Sequence, residues 1–175
     1  GGKNENGDAT FSVFAMNTAN KHWKSVTEMP TTKVAFGATA IEKKIYVSGG
    51  WTGIEKLNLL EVFDIESNTW SVLAPMPYKR DRFGMKALNH DIYVAGGFND
   101  SGATLSSVLK YSPDTNMWTN VKSLNVGREY HELVTLNGVI YAIGGYNTRT
   151  VERYSPAIDK WSFVAQPKYY HFNFG

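Results

Sequence analysis

The side chains in this chain best suited to gripping another molecule fall at two regularly spaced positions. One directly follows a pair of glycines and holds Lys3, Trp51, Phe98 or Tyr146. The other stands just before Phe36, Phe83, His131 or Phe174 and holds Ala35, Arg82, Tyr130 or Asn173. Aromatic rings and arginine dominate the energetics of protein interfaces, because each buries a broad flat surface and keeps a polar edge for a hydrogen bond. Residues that occupy equivalent positions but differ between copies suit recognition, whereas residues that recur suit packing. Trp51, Phe98, Tyr146, Arg82 and Tyr130 are therefore candidate partner-binding residues.

Catalytic chemistry has little to work with. There is no cysteine, which removes disulfides, thiolate metal sites and a thiol nucleophile, and fits a reducing compartment. His22, His90, His131 and His171 have no metal-ligand spacing. Neither a glycine-rich phosphate loop nor a Gly-x-Ser-x-Gly elbow is present. The carboxylates Glu61, Asp64, Asp114 and Glu152 fall on or beside one predicted strand, where a solvated edge is expected. No catalytic residue, metal or cofactor is assigned, and a sugar-modifying enzyme is the least implausible catalytic alternative. With 18 basic and 16 acidic residues and no long basic run, nucleic acid is not an expected partner. No apolar stretch approaches the roughly 18 residues of a membrane span.

The spacing of these positions comes from an internal repeat. The glycine pairs begin at Gly1, Gly49, Gly96 and Gly144, in steps of 48, 47 and 48 residues. Tryptophans stand at Trp23, Trp70, Trp118 and Trp161, and Met16, Phe63, Tyr111 and Tyr154 each lie seven residues before one of them. Only the interval from the glycines to this second column varies, at 15, 14, 15 and 10 residues, which marks a surface loop. Short runs of β-branched and aromatic residues between turn signals predict four strands, a to d, in each repeat. In the third repeat these cover 83–88, 92–96, 108–112 and a segment around Trp118. Asn137 and Gly138 suit the positive φ angles of a tight hairpin.

Such a small sheet is apolar on both faces, so successive sheets must stack, and a period of 40 to 50 residues predicts the blades of a β-propeller. The segment "DIYVAGGF" at 91–98 places the glycine pair at the end of strand b. That strand is expected beside the crowded central axis, where only glycine lets the backbone approach closely. A third column, Lys33, Arg80, Arg128 and His171, is basic in every copy, and its recurrence favours structural hydrogen bonding over ligand binding.

The glycine pair after an Ile-Tyr strand, the segments "VFDIESNTW", "KYSPDTNMW" and "RYSPAIDKW", and "APMPYKRDRFG" leading into the next repeat resemble kelch repeats over essentially the whole chain. The resemblance is greatest to the propellers of BTB-kelch proteins. It implies an all-β kelch β-propeller and a protein-binding module that recruits a protein substrate to a cullin-RING ubiquitin ligase through a BTB domain outside this chain. An actin-binding, cytoskeletal role is the alternative. Either role implies a cytoplasmic location, the second one with cytoskeletal association. In such adaptors an arginine before the Phe36 column reaches the substrate face, as Arg82 would here. A serine before strand c lies on the same face; Ser12 and Ser107 match it, Thr150 is similar and Leu59 departs. Against a six-bladed ring, about three and a half four-stranded antiparallel blades are expected: a half blade at 1–26, blades at 36–73, 83–121 and 131–164, and the start of another at 174–175. Such a piece of a longer propeller is expected to expose apolar faces near Trp23 and Trp161, and so to aggregate or pair.

Overall fold

The computed structural model describes residues 2–146 and 148–170; His171, Asn173 and Phe174, with the strand expected at 174–175, lie outside them. The chain opens on a two-stranded ribbon, β1 (Gly2–Lys3) with β2 (Ala9–Thr10), followed by a hairpin, β3 (Ser12–Met16) with β4 (Trp23–Glu28). Three four-stranded antiparallel sheets come next. The first contains β5 (Gly37–Ile41), β6 (Lys44–Ser48), β7 (Leu60–Asp64) and β8 (Thr69–Leu73). The second contains β9 (Gly84–Leu88), β10 (Asp91–Ala95), β11 (Val108–Ser112) and β12 (Met117–Val121). The third contains β13 (Glu132–Leu136), β14 (Val139–Ile143), β15 (Val151–Ser155) and β16 (Lys160–Ala165), with a single 3-10 turn at Pro156–Ile158. Strand order follows sequence order in every sheet, so each is a meander and a blade of the predicted kind.

Register explains the fixed seven-residue spacing. Phe63 lies opposite Trp70, Tyr111 opposite Trp118 and Tyr154 opposite Trp161 across the c–d hairpins, with ring centroids 5.2, 5.0 and 5.1 Å apart. Cross-strand aromatic pairs of this kind stabilise a sheet. Asn68, Asn116 and Asp159 turn these hairpins with positive φ. The carboxamide oxygen of Asn116 accepts from Tyr111 and from the backbone of Ala74 in the preceding blade, and Trp118 donates its indole N–H to the Ala74 carbonyl. Asp159 and Trp161 repeat the clasp on Lys122.

The strands feed two cores because alternate residues point to opposite faces. Ile92 and Val94 of β10 join Leu60, Phe83 and Leu109 between the first and second blades. Tyr93 and Ala95 of the same strand join Leu133, Ile140 and Trp161 between the second and third. Trp161 is thus buried, contrary to the expectation that it stands near an open side. Trp23 is 66% exposed, beside exposed Phe14, on the β3–β4 hairpin.

Strand a, not strand b, is innermost: β5 packs against β9, and β9 against β13. The glycine pair is crowded for another reason. It ends strand b where the next blade's first segment crosses it. Gly97 has φ 96° and donates its N–H to the Arg128 carbonyl at 2.8 Å. A Cβ on Gly96 would lie 2.4 Å from that same oxygen, and one on Gly97 2.6 Å from the Asp81 carbonyl. A side chain on Gly96 would push against the next blade, and one on Gly97 against the entry segment of its own blade.

The basic column rivets these junctions. Arg80 and Arg128 donate their backbone N–H groups to Leu57 and Leu105 of the preceding blade, and their carbonyls accept from Gly50 and Gly97 of that blade. Their side chains run the other way, into their own blade, and are fully buried. The Arg128 guanidinium donates to the Gly144 and Thr150 carbonyls, each at 2.9 Å, and pairs with Glu152. Lys33 pairs with Glu61. Glu61 and Glu152 are therefore buried partners of the basic column, not the solvated edge expected from sequence, because strand c lies inside the sheet. Removing one partner of a buried pair strands the other's charge. Glu152→Ala is expected to lower stability by about 3–5 kcal/mol in urea unfolding, and an unchanged midpoint would show that the pair contributes nothing.

His131 occupies the place that Phe36 and Phe83 hold in other blades, and neither of its buried ring nitrogens has a hydrogen-bond partner. Burial, reinforced by the charge of Arg128, pushes its pKa from 6.5 down to about 3. The imidazole is neutral when folded but takes a proton when unfolded, so stability is full above pH 6.5 and falls as pH drops toward 3. His131→Phe is expected to raise stability by about 1 kcal/mol or more and to flatten that acid limb. An unaltered pH profile of the melting temperature would contradict this.

Candidate functional site

The two variable positions meet because the rivet places them. Two residues after Lys33, Arg80 and Arg128 come Ala35, Arg82 and Tyr130, with φ of 52°, 58° and 54°. Left-handed backbone is unfavourable for residues with a Cβ, and here it turns each peptide toward the neighbouring blade. Arg82 donates its N–H to the Ala35 carbonyl and Tyr130 to the Arg82 carbonyl, both at 2.9 Å. The three residues therefore form a hydrogen-bonded chain from blade to blade. The residue before each of them reaches back to the residue after the glycine pair: Val34 with Trp51, Asp81 with Phe98, and Tyr146 N–H to the Glu129 carbonyl. Strand-like pairing brings both variable positions of each blade to one face.

On that face cations and rings alternate. The Lys56 ammonium stands 5.2 Å from the ring centroids of both Trp51 and Phe98. The Arg82 guanidinium stands 5.0 Å from both Phe98 and Tyr130. The ladder Trp51–Lys56–Phe98–Arg82–Tyr130 thus crosses two blade junctions, held by the attraction of a cation to a ring's negative face. Four of the six residues expected at the site, Trp51, Phe98, Arg82 and Tyr130, are joined in it. Tyr146 belongs to the same blade as Tyr130 and is 53% exposed. Ser107 lies apart from the ladder, half-buried, where its hydroxyl accepts from Arg80 at 3.1 Å.

Carboxylates beneath the ladder fix its cations. Arg82 donates to Glu129 at 3.1 Å and pairs with Asp81 at 3.4 Å, while Lys56 stands 3.9 Å from Asp81. Thr104 donates to the other oxygen of Glu129. Burial raises the Asp81 pKa, and the charges of Arg82 and Lys56 oppose that rise. For Arg82 burial disfavours the charge, but Glu129 and Asp81 more than offset it. Both cations are therefore held in place before any partner arrives, so little side-chain freedom is left to lose on binding.

Because Ala35 has only a methyl where the next blades carry Arg82 and Tyr130, a cavity of about 510 Å³ opens there. It is lined by Val34, Ala35, Trp51, Asp81, Arg82 and Tyr130 among others. Lys56, Asp81 and Glu129 were not singled out in the sequence. Lys56 sits in the loop of varying length, where no column marks it. Asp81 and Glu129 share a column with Val34, and an acid beside a basic residue in two copies was the signal available.

The arrangement offers flat aromatic area and a fixed guanidinium. Among the described residues no group of three or more His, Cys, Asp or Glu could hold a metal, and no helix is long and apolar enough to cross a membrane.

Comparison with known proteins agrees with the repeat. A family model described as the KLHDC2/KLHL20/DRC7 Kelch-repeats domain matches residues 1–153. A protein of Arabidopsis thaliana described as an F-box/kelch-repeat protein is 34% identical over 70 residues. That match covers 39% of this chain and 19% of the Arabidopsis protein, so the chain spans only a small part of that relative's length. Domains of this kind are generally modules of protein–protein interaction. With blades, glycine pairs and aromatic columns in register along it, the chain belongs to the kelch-repeat domains.

Proposed function

We propose that this chain is the substrate-recognition propeller of a BTB-kelch adaptor for a cullin-RING ubiquitin ligase, and that it binds a protein substrate on the face carrying the ladder. The observation behind this reading is the ladder itself. Interface hot spots are aromatic or arginine side chains set in a desolvated patch, and here Trp51, Phe98, Arg82 and Tyr130 form one continuous patch beside a cavity. Tyr146 extends it, and six blades would close the ring around it. The cysteine-free composition suits a reducing cytoplasm. The balanced charge suits a protein partner better than nucleic acid.

Arg82→Ala is a clean probe, because Ala35 already shows that alanine takes the same left-handed backbone. The variant is expected to weaken substrate binding by about 2 kcal/mol, roughly thirtyfold, without lowering the melting temperature by more than a few degrees. Affinity capture from cells with the full-length protein reads the two roles separately. The cullin is expected with parent and variant alike, and the substrate with the parent only. Substrates captured equally by both would place binding elsewhere, and co-sedimentation with actin filaments in place of cullin capture would favour the cytoskeletal reading.

A further inference from the structure

The two junctions between complete blades differ at the end of the sheets opposite the ladder, where the a–b and c–d hairpins turn. Between the first and second blades a cavity of about 220 Å³ opens there. Ile41, Val62 and Leu73 give it an apolar wall, and Tyr46 and Tyr111, with ring centroids 6.4 Å apart, also line it. Glu42 of the first blade and Asp114 of the second stand at its rim, both exposed. At the next junction the same two positions hold Asn89 and Ala157, so of the two junctions only the first carries both carboxylates.

Tyr46 is only 4% exposed. Tyr111 and Tyr154 give their hydroxyl protons to Asn116 and Asp159. Among the described residues nothing bonds to the Tyr46 hydroxyl, whose oxygen is not sealed from the cavity. A half-satisfied polar group in an apolar setting is costly, and a ligand that bonds to it recovers the cost. Burial, and then the charges of Glu42 and Asp114, raise the Tyr46 pKa, so both carboxylates make the surroundings of that hydroxyl negative. Two basic residues also line the cavity, each beside an acid: Lys44 lies opposite Asp64 in the strand pairing, and the His90 imidazole stands 3.7 Å from Asp114.

We infer that this cavity binds a primary ammonium on a short hydrocarbon stem, with the stem against Ile41, Val62 and Leu73 and the ammonium donating to the Tyr46 oxygen between the charges of Glu42 and Asp114. A single neutral acceptor suits a compact ammonium better than the planar fork of a guanidinium. A lysine side chain of a partner and a free alkylamine carry the same group. No ladder residue takes part, so this site and the ladder stand or fall separately.

Titration of the isotope-labelled intact chain with butylammonium, followed by NMR, tests the site. Saturable shifts are expected at the Tyr46 ring and at the amides of Glu42 and Asp114. The Tyr93 ring, which holds the place of Tyr46 at the junction without the two carboxylates, is expected to stay still. Tyr46→Phe keeps the ring and is expected to weaken binding about tenfold. Glu42→Asn and Asp114→Ala, which introduce the residues of the next junction, are each expected to weaken it about two- to fivefold; Asn89 shows that asparagine takes the left-handed backbone of Glu42. Lysine blocked at its amino and carboxyl ends separates the sources: shifts with it assign the site to a partner's lysine, and shifts with butylammonium alone assign it to a free amine. Resonances that stay still with butylammonium, equal shifts at Tyr93, a Tyr46→Phe variant that binds as tightly as the parent, or butyrate binding as well as butylammonium would overturn the assignment.

Discussion

One buried cation at the head of each blade sets the geometry of this chain. Arg80 and Arg128 tie the preceding blade with their backbone and their own blade with their side chain. Hydrogen bonds to a charged group are about twice as strong as neutral ones, and burial makes an unmade one expensive. A residue linked in both directions cannot shift without breaking contacts on both sides. The glycine pairs belong to the same device, since their missing side chains let the basic residue's carbonyl come within hydrogen-bond distance.

The candidate site follows from that constraint. With Arg80 and Arg128 fixed, the chain two residues later turns left-handed at Arg82 and Tyr130 and passes a hydrogen bond to the neighbouring blade. Strain at those positions is offset by the bonds it makes possible, and it aims two variable side chains at one face. Rings following the glycine pairs arrive beside them by strand-like pairing. Structural and variable positions therefore alternate along the same few residues: Arg80 is locked, Asp81 is buried beneath the face, and Arg82 is displayed on it.

What could be read from the sequence is what repeats. The c–d hairpins recur with one register, so Phe63, Tyr111 and Tyr154 announced their tryptophan partners by spacing alone. The glycine pairs and the basic column were legible for the same reason. Relations that do not repeat were hidden. Lys56 enters the ladder from a loop of varying length, and nothing in the spacing ties it to Trp51 or Phe98. Glu61 and Glu152 read as solvated acids only if strand c is an edge, and it is flanked on both sides. Strand a is innermost for a similar reason: glycine signals close approach, but not which neighbour approaches.

Hydrogen exchange at Gly97 tests most directly whether the buried cation governs the blade junction. Its N–H is bonded to the Arg128 carbonyl, while the amides of β10 a few residues earlier are held within the sheet. In an Arg128→Met variant, which keeps the side chain's length and removes its charge and donors, the Gly97 amide should lose protection more steeply than those of β10. That is the pattern of a junction opening locally ahead of the blade. Equal loss at Gly97 and throughout β10 would mean that the cation contributes only to global stability, and would contradict its role as the fixed point from which the binding face is built.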